Sequence, residues 1–206
     1  MATKPFELVH MDVFGPIDTP SLGGATYGIL WTDDYSRLRI IKFMKVKSEA
    51  LSKTKEFLAD VSGLTKGQYK VRGLHSDNGG EFTSREFKRY CKRKGIRQTY
   101  TGPRAPQQNG IAERANRIVM DMARCLRLES GLGKELWGEA SNTAVYILNR
   151  IPDRRIGRRY SILQATWEAG DARPLEGLWV PSLRTDVQGA KRKVGPQGMA
   201  RNTRGL

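Results

Sequence analysis

Cysteine and histidine are scarce in this chain. Cys91 and Cys125 are the only cysteines and His10 and His75 the only histidines among 206 residues. Without a CxxC pair or an HxxxH pair, a zinc module of ordinary spacing is excluded within these residues. Two thiols are too few for a disulfide-stapled scaffold, so free, packed cysteines in a reducing compartment are expected. Cys91 falls on an apolar helical stripe and reads as core. Long apolar runs are missing too: nothing approaches the ~20 residues of a membrane span, and no basic amphipathic helix dominates. The opening MATKPFELVHMD has no apolar signal core. A soluble, intracellular chain is therefore expected. Acidic residues are also in deficit, 21 against 36 Lys and Arg, for a net charge of +15. Such an excess calls for a polyanionic partner, and phosphate contacts that release counterions favour nucleic acid over acidic lipid.

What is present divides into short β segments and longer amphipathic ones. LVHMDVFG (8–15) is an apolar run stopped by Gly15-Pro16 and reads as a buried strand. ATYGILWTDD and RLRIIKFMKV flank Asp34-Tyr35-Ser36 as a hairpin. Ser48 is expected to cap a helix to about Ser62, with Leu51, Leu58 and Val61 on one side. KVRGLHSD gives a fourth strand with Asp77 at its C-terminal end. Thr83-Ser84-Arg85-Glu86 reads as a capping box before a helix that Gly95 ends, and IRQTYT as a fifth strand. TGPRAPQQNG (101–110) is a loop by composition. Beyond it Ile111, Ala115, Ile118, Met122 and Leu126 share a helical face. A last helix spans about 134–150, its apolar stripe suited to the core or to a subunit contact. Residues 153–206 carry scattered Gly and Pro with many Arg and a KRK run, and read as an irregular basic tail.

The order of elements is a mixed α/β layout. In such a sheet neighbouring central strands can set Asp12 and Asp77 side by side, and a helix packed across it can add Glu113. Each acid alone has a plainer reading: Asp12 as a strand-end acid, Asp77 in a DNGG turn, and Glu113 as an exposed helix residue pairing with Arg117 one turn on. Three converging carboxylates repel unless a hard divalent cation offsets them. Two such ions would serve in-line phosphoryl displacement. His10 and His75 each stand two residues before an acid and read as packed or supporting groups, since imidazole suits Mg²⁺ poorly. Lys88, Arg89, Lys92, Arg93, Lys94 and Arg97 form a basic helix edge, either solvated or set against a DNA backbone. Gln107, Gln108 and Asn109 are loop polars, and Lys191–Lys193 is a nuclear-targeting or DNA-binding run.

MDVFGP, HSDNGGEF and PQQNGIAERANR resemble the catalytic core of a retroviral-type integrase, specifically the copia-type integrase of long-terminal-repeat retrotransposons. The family signature is two aspartates and a glutamate with 35 residues between the second and third, and 35 residues separate Asp77 from Glu113. FKRYCKRKGI, MARCLRLESGL and ELWGEASNTAVYILNRIP extend the likeness over about residues 5–152. The resemblance implies a ribonuclease H-like fold, a mixed five-stranded sheet flanked by helices. It implies Asp12, Asp77 and Glu113 as catalytic metal ligands for Mg²⁺ or Mn²⁺, and 3′-end trimming of retroelement DNA followed by joining to target DNA. It also implies DNA contacts from Gln107, Gln108, Asn109 and Arg117, a homo-oligomer, and action in the nucleus after cytoplasmic passage. Related integrases carry an N-terminal His₂Cys₂ module that this sequence lacks, and their segment after the core is only faintly echoed here. The chain accordingly reads as a piece of a larger polyprotein. The rival expectations are an inactive DNA-binding remnant and a transposase or nuclease of the same fold.

Overall fold

The computed structural model describes residues 2–102, 110–153 and 159–160. Five strands form one mixed sheet: β1 (Val9–Phe14), β2 (Tyr27–Asp33), β3 (Arg39–Met44), β4 (Gly73–Ser76) and β5 (Arg97–Tyr100). Their order is β3-β2-β1-β4-β5. The first three strands run antiparallel, joined through 15–26 and 34–38, whereas β1–β4 and β4–β5 are parallel and need helical crossovers. Those crossovers are α1 (Ala50–Leu64), and α2 (Gly80–Thr83) with α3 (Arg85–Lys94). Helices α4 (Gly110–Glu129) and α5 (Trp137–Leu148) follow β5.

Side-chain alternation along the strands divides the sheet into two faces. On one, Met11 and Trp31 are register partners, and Trp31 stacks on Phe57 of α1 with centroids 4.7 Å apart. On the other, Leu30 and Ile41 pack with Ala115, Val119 and Ala123 of α4 and with Ala140, Ala144 and Leu148 of α5. Asp12 is the register partner of Leu30 and so projects toward this second face. Alanines along both helices let their backbones come close to each other and to the sheet. Close approach recurs at Gly28, where a Cβ would sit 2.2 Å from the Phe14 ring.

Several local expectations give way. Ser48 lies inside a single 3₁₀ turn (Lys47–Glu49) and caps nothing; Glu49 occupies the N-cap of α1 without a side-chain bond. The Thr83–Glu86 capping box does not form, because Ser84 caps α3 by accepting the Phe87 N–H at 3.3 Å. Gly95, with φ of 67°, does end α3. Cys91 is buried as expected, and burial pushes its thiol up to about 11, but Cys125 is exposed rather than packed. The apolar stripe of α4 is also rotated. Its buried residues are Ala112, Ala115, Asn116, Val119 and Ala123, while Ile118, Met122 and Leu126 flank them. Bulk misled the sequence reading here, since the residues nearest the sheet are the small ones. At the start of the expected irregular tail two short strands are described, β6 (Pro152–Asp153) and β7 (Arg159–Tyr160), paired antiparallel. The rest of that tail lies outside the described residues. Among the described residues no helix is long and apolar enough to cross a membrane.

Candidate active site

Parallel pairing of β1 with β4 sets Val9 opposite Leu74 and His10 opposite His75. Asp12 follows His10 by two residues along β1 and Asp77 follows His75 by two, just past the end of β4, and the charge of Asp77 is felt at Asp12. The DNGG segment is a turn as well as a part of the site. The Gly79 N–H donates to Asp77 Oδ1 at 3.0 Å, and Asn78 Nδ2 donates to the Thr101 carbonyl at 2.9 Å, tying the turn to the end of β5. A Cβ at Gly79 would lie 2.8 Å from the Glu81 carboxylate and 3.0 Å from Asp77 Oδ1, so a side chain there would push both acids aside; at Gly80 the space is open.

Helix α4 supplies the third acid. Glu113 lies in its first turn, where the helix dipole favours a negative side chain. One turn later Asn116, almost fully buried, donates through Nδ2 to Asp12 Oδ2 at 2.8 Å. Residues three apart share a helix face, so exposed Glu113 stands on the side of α4 that carries this bond. The electrostatics agree with that placement. Burial, then the charge of Asp77, and last that of Glu113 push the Asp12 carboxyl up to about 6, against the Asn116 bond that favours its charged form. The Oδ1 of Asn116 is buried without a hydrogen-bond partner. Asn116 escaped the sequence reading because an Asn on a buried helix face has no pattern of its own; its only signal is its place three residues after Glu113. Asn116→Ala should therefore raise the Asp12 midpoint above about 6, as read by carboxyl NMR titration; an unchanged midpoint would refute the role given to this bond.

The two histidines support the strands rather than join the acids. His10 is buried, edge-on to His75 at 5.4 Å, and its Nε2 lies 3.3 Å from Asp34 Oδ1. Burial lowers the His10 pKa, outweighing the Asp34 charge that raises it. Burial alone would raise Asp34, but the Ala2 N–H at 2.6 Å, Arg37 and His10 together hold it below the usual carboxylate range. His75 contacts the hydroxyls of Thr99 at 2.9 Å and Thr101 at 3.3 Å.

Of the remaining candidates, Lys88, Lys92, Arg93 and Lys94 are all exposed on α3. Lys88 Nζ sits 5.8 Å from the Tyr100 ring and Arg93 6.0 Å from the Tyr90 ring, giving the basic helix an aromatic edge. Arg117 is exposed on α4. No ion pair with Glu113 is among those the described residues form. Gln107, Gln108 and Asn109 lie outside the described residues. Among those described, no group of three or more His, Cys, Asp or Glu side chains is gathered tightly enough to hold a metal ion. The donor set still suits a hard cation. Mg²⁺ takes one or two carboxylates and completes its shell with water and substrate oxygens.

A model of the integrase core domain matches residues 2–106. The chain belongs to the integrase core domain family. It is 40% identical over 161 residues to the "Retrovirus-related Pol polyprotein from transposon TNT 1-94" of Nicotiana tabacum, covering 78% of this chain and 12% of that protein. It is 30% identical over 154 residues to the Pol polyprotein from transposon RE2 of Arabidopsis thaliana, covering 73% and 10%. This integrase core thus spans about a tenth of the curated relatives it matches. Among solved structures, the HTLV-2 integrase catalytic core domain in complex with magnesium aligns with a TM-score of 0.59 at 20% identity, covering 80% of this chain and 99% of that one. The BIV integrase catalytic core aligns with a TM-score of 0.52 at 26% identity, over 70% and 84%. The five-stranded mixed sheet with its flanking helices is the ribonuclease H-like fold of integrase cores.

Proposed function

We propose that this integrase core acts on DNA as a divalent-metal-dependent polynucleotidyl transferase, trimming the 3′ ends of retroelement DNA and joining them to target DNA in the nucleus. The observation that supports the reading is electrostatic: the charges of Asp77 and Glu113 both act on the Asp12 carboxyl. Asp12 and Asp77 lie on or just past neighbouring parallel strands, and Asn116 ties the helix bearing Glu113 to Asp12. Asp12, Asp77 and Glu113 would hold Mg²⁺ or Mn²⁺. Bound there, such ions stabilise charge on the attacking and leaving oxygens of an in-line displacement. The chain's own residues do the rest. Asn116 orients Asp12 and favours its charged form, and the Asx turn at Asp77 fixes that carboxylate. The net charge of +15 draws the polyanion to the surface, with the exposed cations of α3 available to its backbone. A homo-oligomer is part of the proposal; the HTLV-2 core has been solved in trimeric and dimeric forms.

The test is nicking and end joining of retroelement-end duplexes with Mg²⁺ or Mn²⁺. Asp77→Asn and Glu113→Gln should each lower turnover on the order of a thousandfold or more, as groups acting as a unit do. Metal at a hundred times its Kd should stabilise the wild type by about 2.7 kcal/mol, and Glu113→Gln should lose part of that gain. Wild-type protein that retains DNA yet neither nicks nor joins it, indifferent to chelator and to Asp12→Asn, would instead be a binding remnant. Hairpin formation or RNA-strand cleavage would point to a transposase or a plain nuclease.

A further inference from the structure

Glu113, Arg117, Met120, Arg124 and Arg127 recur at intervals of four and three along α4 and so form one stripe on the helix surface. The far half of that stripe borders a cleft of about 430 Å³ between α4, the segment after β1 and the start of α5. Arg124, Arg127 and Lys134 line it, together with Asp18, Asp121 and the Trp137 ring. Trp137 closes one wall by donating its Nε1–H to the Thr19 carbonyl at 2.9 Å. Arg127 is partly committed, donating to the Leu132 carbonyl at 3.1 Å. No ion pair among the described residues engages Arg124, Lys134, Asp18 or Asp121. Three cations against two acids leave the lining with a net charge of +1. That balance matches a phosphodiester, which carries a single negative charge, better than a phosphate monoester or a pyrophosphate, which carry more.

We infer that this cleft is a distal clamp for a backbone phosphodiester of the DNA strand whose end lies at Asp12, Asp77 and Glu113. The inference rests on the active-site reading above for the placement of that end. At 1.5 Å per residue, Arg124 and Arg127 stand about 16 and 21 Å down the helix from Glu113. At 3.4 Å of duplex axis per base pair, that reach corresponds to roughly five or six base pairs from the reacting end. Arg124 and Lys134, exposed at the cleft mouth, take the diester oxygens, and the Trp137 ring backs the sugar.

Binding alone tests this, with chelator present so that no turnover is needed. Anisotropy of a labelled blunt duplex is measured across a salt series for wild type, R124A, K134A and R124A/K134A, with melting temperature as the folding check. R124Q/K134Q replaces the double variant if the latter melts early. The double variant should bind about tenfold more weakly, with a salt slope shallower by about 0.9 for each phosphate that the protein no longer neutralises. Neutral methylphosphonates at the fifth and sixth linkages from the end should weaken the wild type and leave R124A/K134A unchanged. Wild-type affinity and slope in the double variant, or an equal methylphosphonate penalty in both proteins, overturns the clamp. Displacement of the duplex by millimolar inorganic phosphate, but not by a dinucleotide diester, assigns the cleft to free phosphate and overturns it as well. Absence of nicking and joining by the wild type overturns the active-site reading and leaves these binding outcomes standing on their own.

Discussion

Asp12→Asn should melt higher than the wild type at pH 7 in the absence of divalent metal. The Asp12 carboxyl is pushed from 3.8 up to about 6, first by burial, then by Asp77 and Glu113. A raised folded-state pKa means that between those two values the native state keeps a proton the unfolded chain has released. Stability from this group is therefore present below about pH 4, falls as pH rises through the window, and is gone above about 6. A difference of 2.2 between 3.8 and about 6 corresponds to about 3 kcal/mol at most, and solvent reaching a half-buried side chain brings it lower. Asparagine removes the charge and keeps an oxygen to accept from Asn116. For a domain of this size the gain is worth a few degrees, up to about ten, in Tm. The gap should close at pH 4, and saturating Mg²⁺ should narrow it at pH 7 by stabilising only the wild type. A variant no more stable than the wild type at pH 7 would show that the three acids are not in electrostatic conflict.

Asn149→Ala should cost about 2–4 kcal/mol, read as a lower urea midpoint at unchanged slope. Asn149 lies just past α5 and is nearly fully buried. Its Oδ1 accepts the Arg39 N–H at 2.9 Å and its Nδ2 donates to the Arg39 carbonyl at 2.8 Å. Arg39 opens β3, the edge strand of the sheet, so one amide side chain stands in for the strand that is missing there. Alanine would leave two buried backbone groups unpaired, each costing about 1–3 kcal/mol before water reaches them. Asn149→Asp should do little better, because it keeps only the acceptor and buries a charge. Wild-type stability in Asn149→Ala would mean that water replaces the amide at this edge.

Both effects turn on contacts that the sequence hides, whereas the elements themselves were legible in it. Alternation and turn residues marked all five strands, and the 35-residue spacing singled out Glu113. What escaped is what only the assembled sheet decides. The β1–β4 register is invisible in either strand, since an apolar run pairs equally well a residue either way. Cap positions slipped by one residue: Ser84 and Thr83 are chemically equivalent candidates, and the short α2, formed from Gly80–Thr83, consumed Thr83 before the cap began. The face of α4 was misread for a related reason. Large side chains weigh most in an apolar pattern, but alanines, and a hydrogen-bonded Asn116, are what fit against a sheet at close range.

Parallel pairing across a helical crossover also bears on when the proposed DNA chemistry could begin. Pairing β1 with β4 requires closing a loop of about 65 residues, a slow and entropically demanding step compared with the antiparallel pairing of β1, β2 and β3. The third acid and its anchoring amide arrive still later, on a helix that follows the last strand of the sheet. Under the proposed activity, a molecule holding only the finished hairpins would lack the assembled acids, so cutting would await the whole domain.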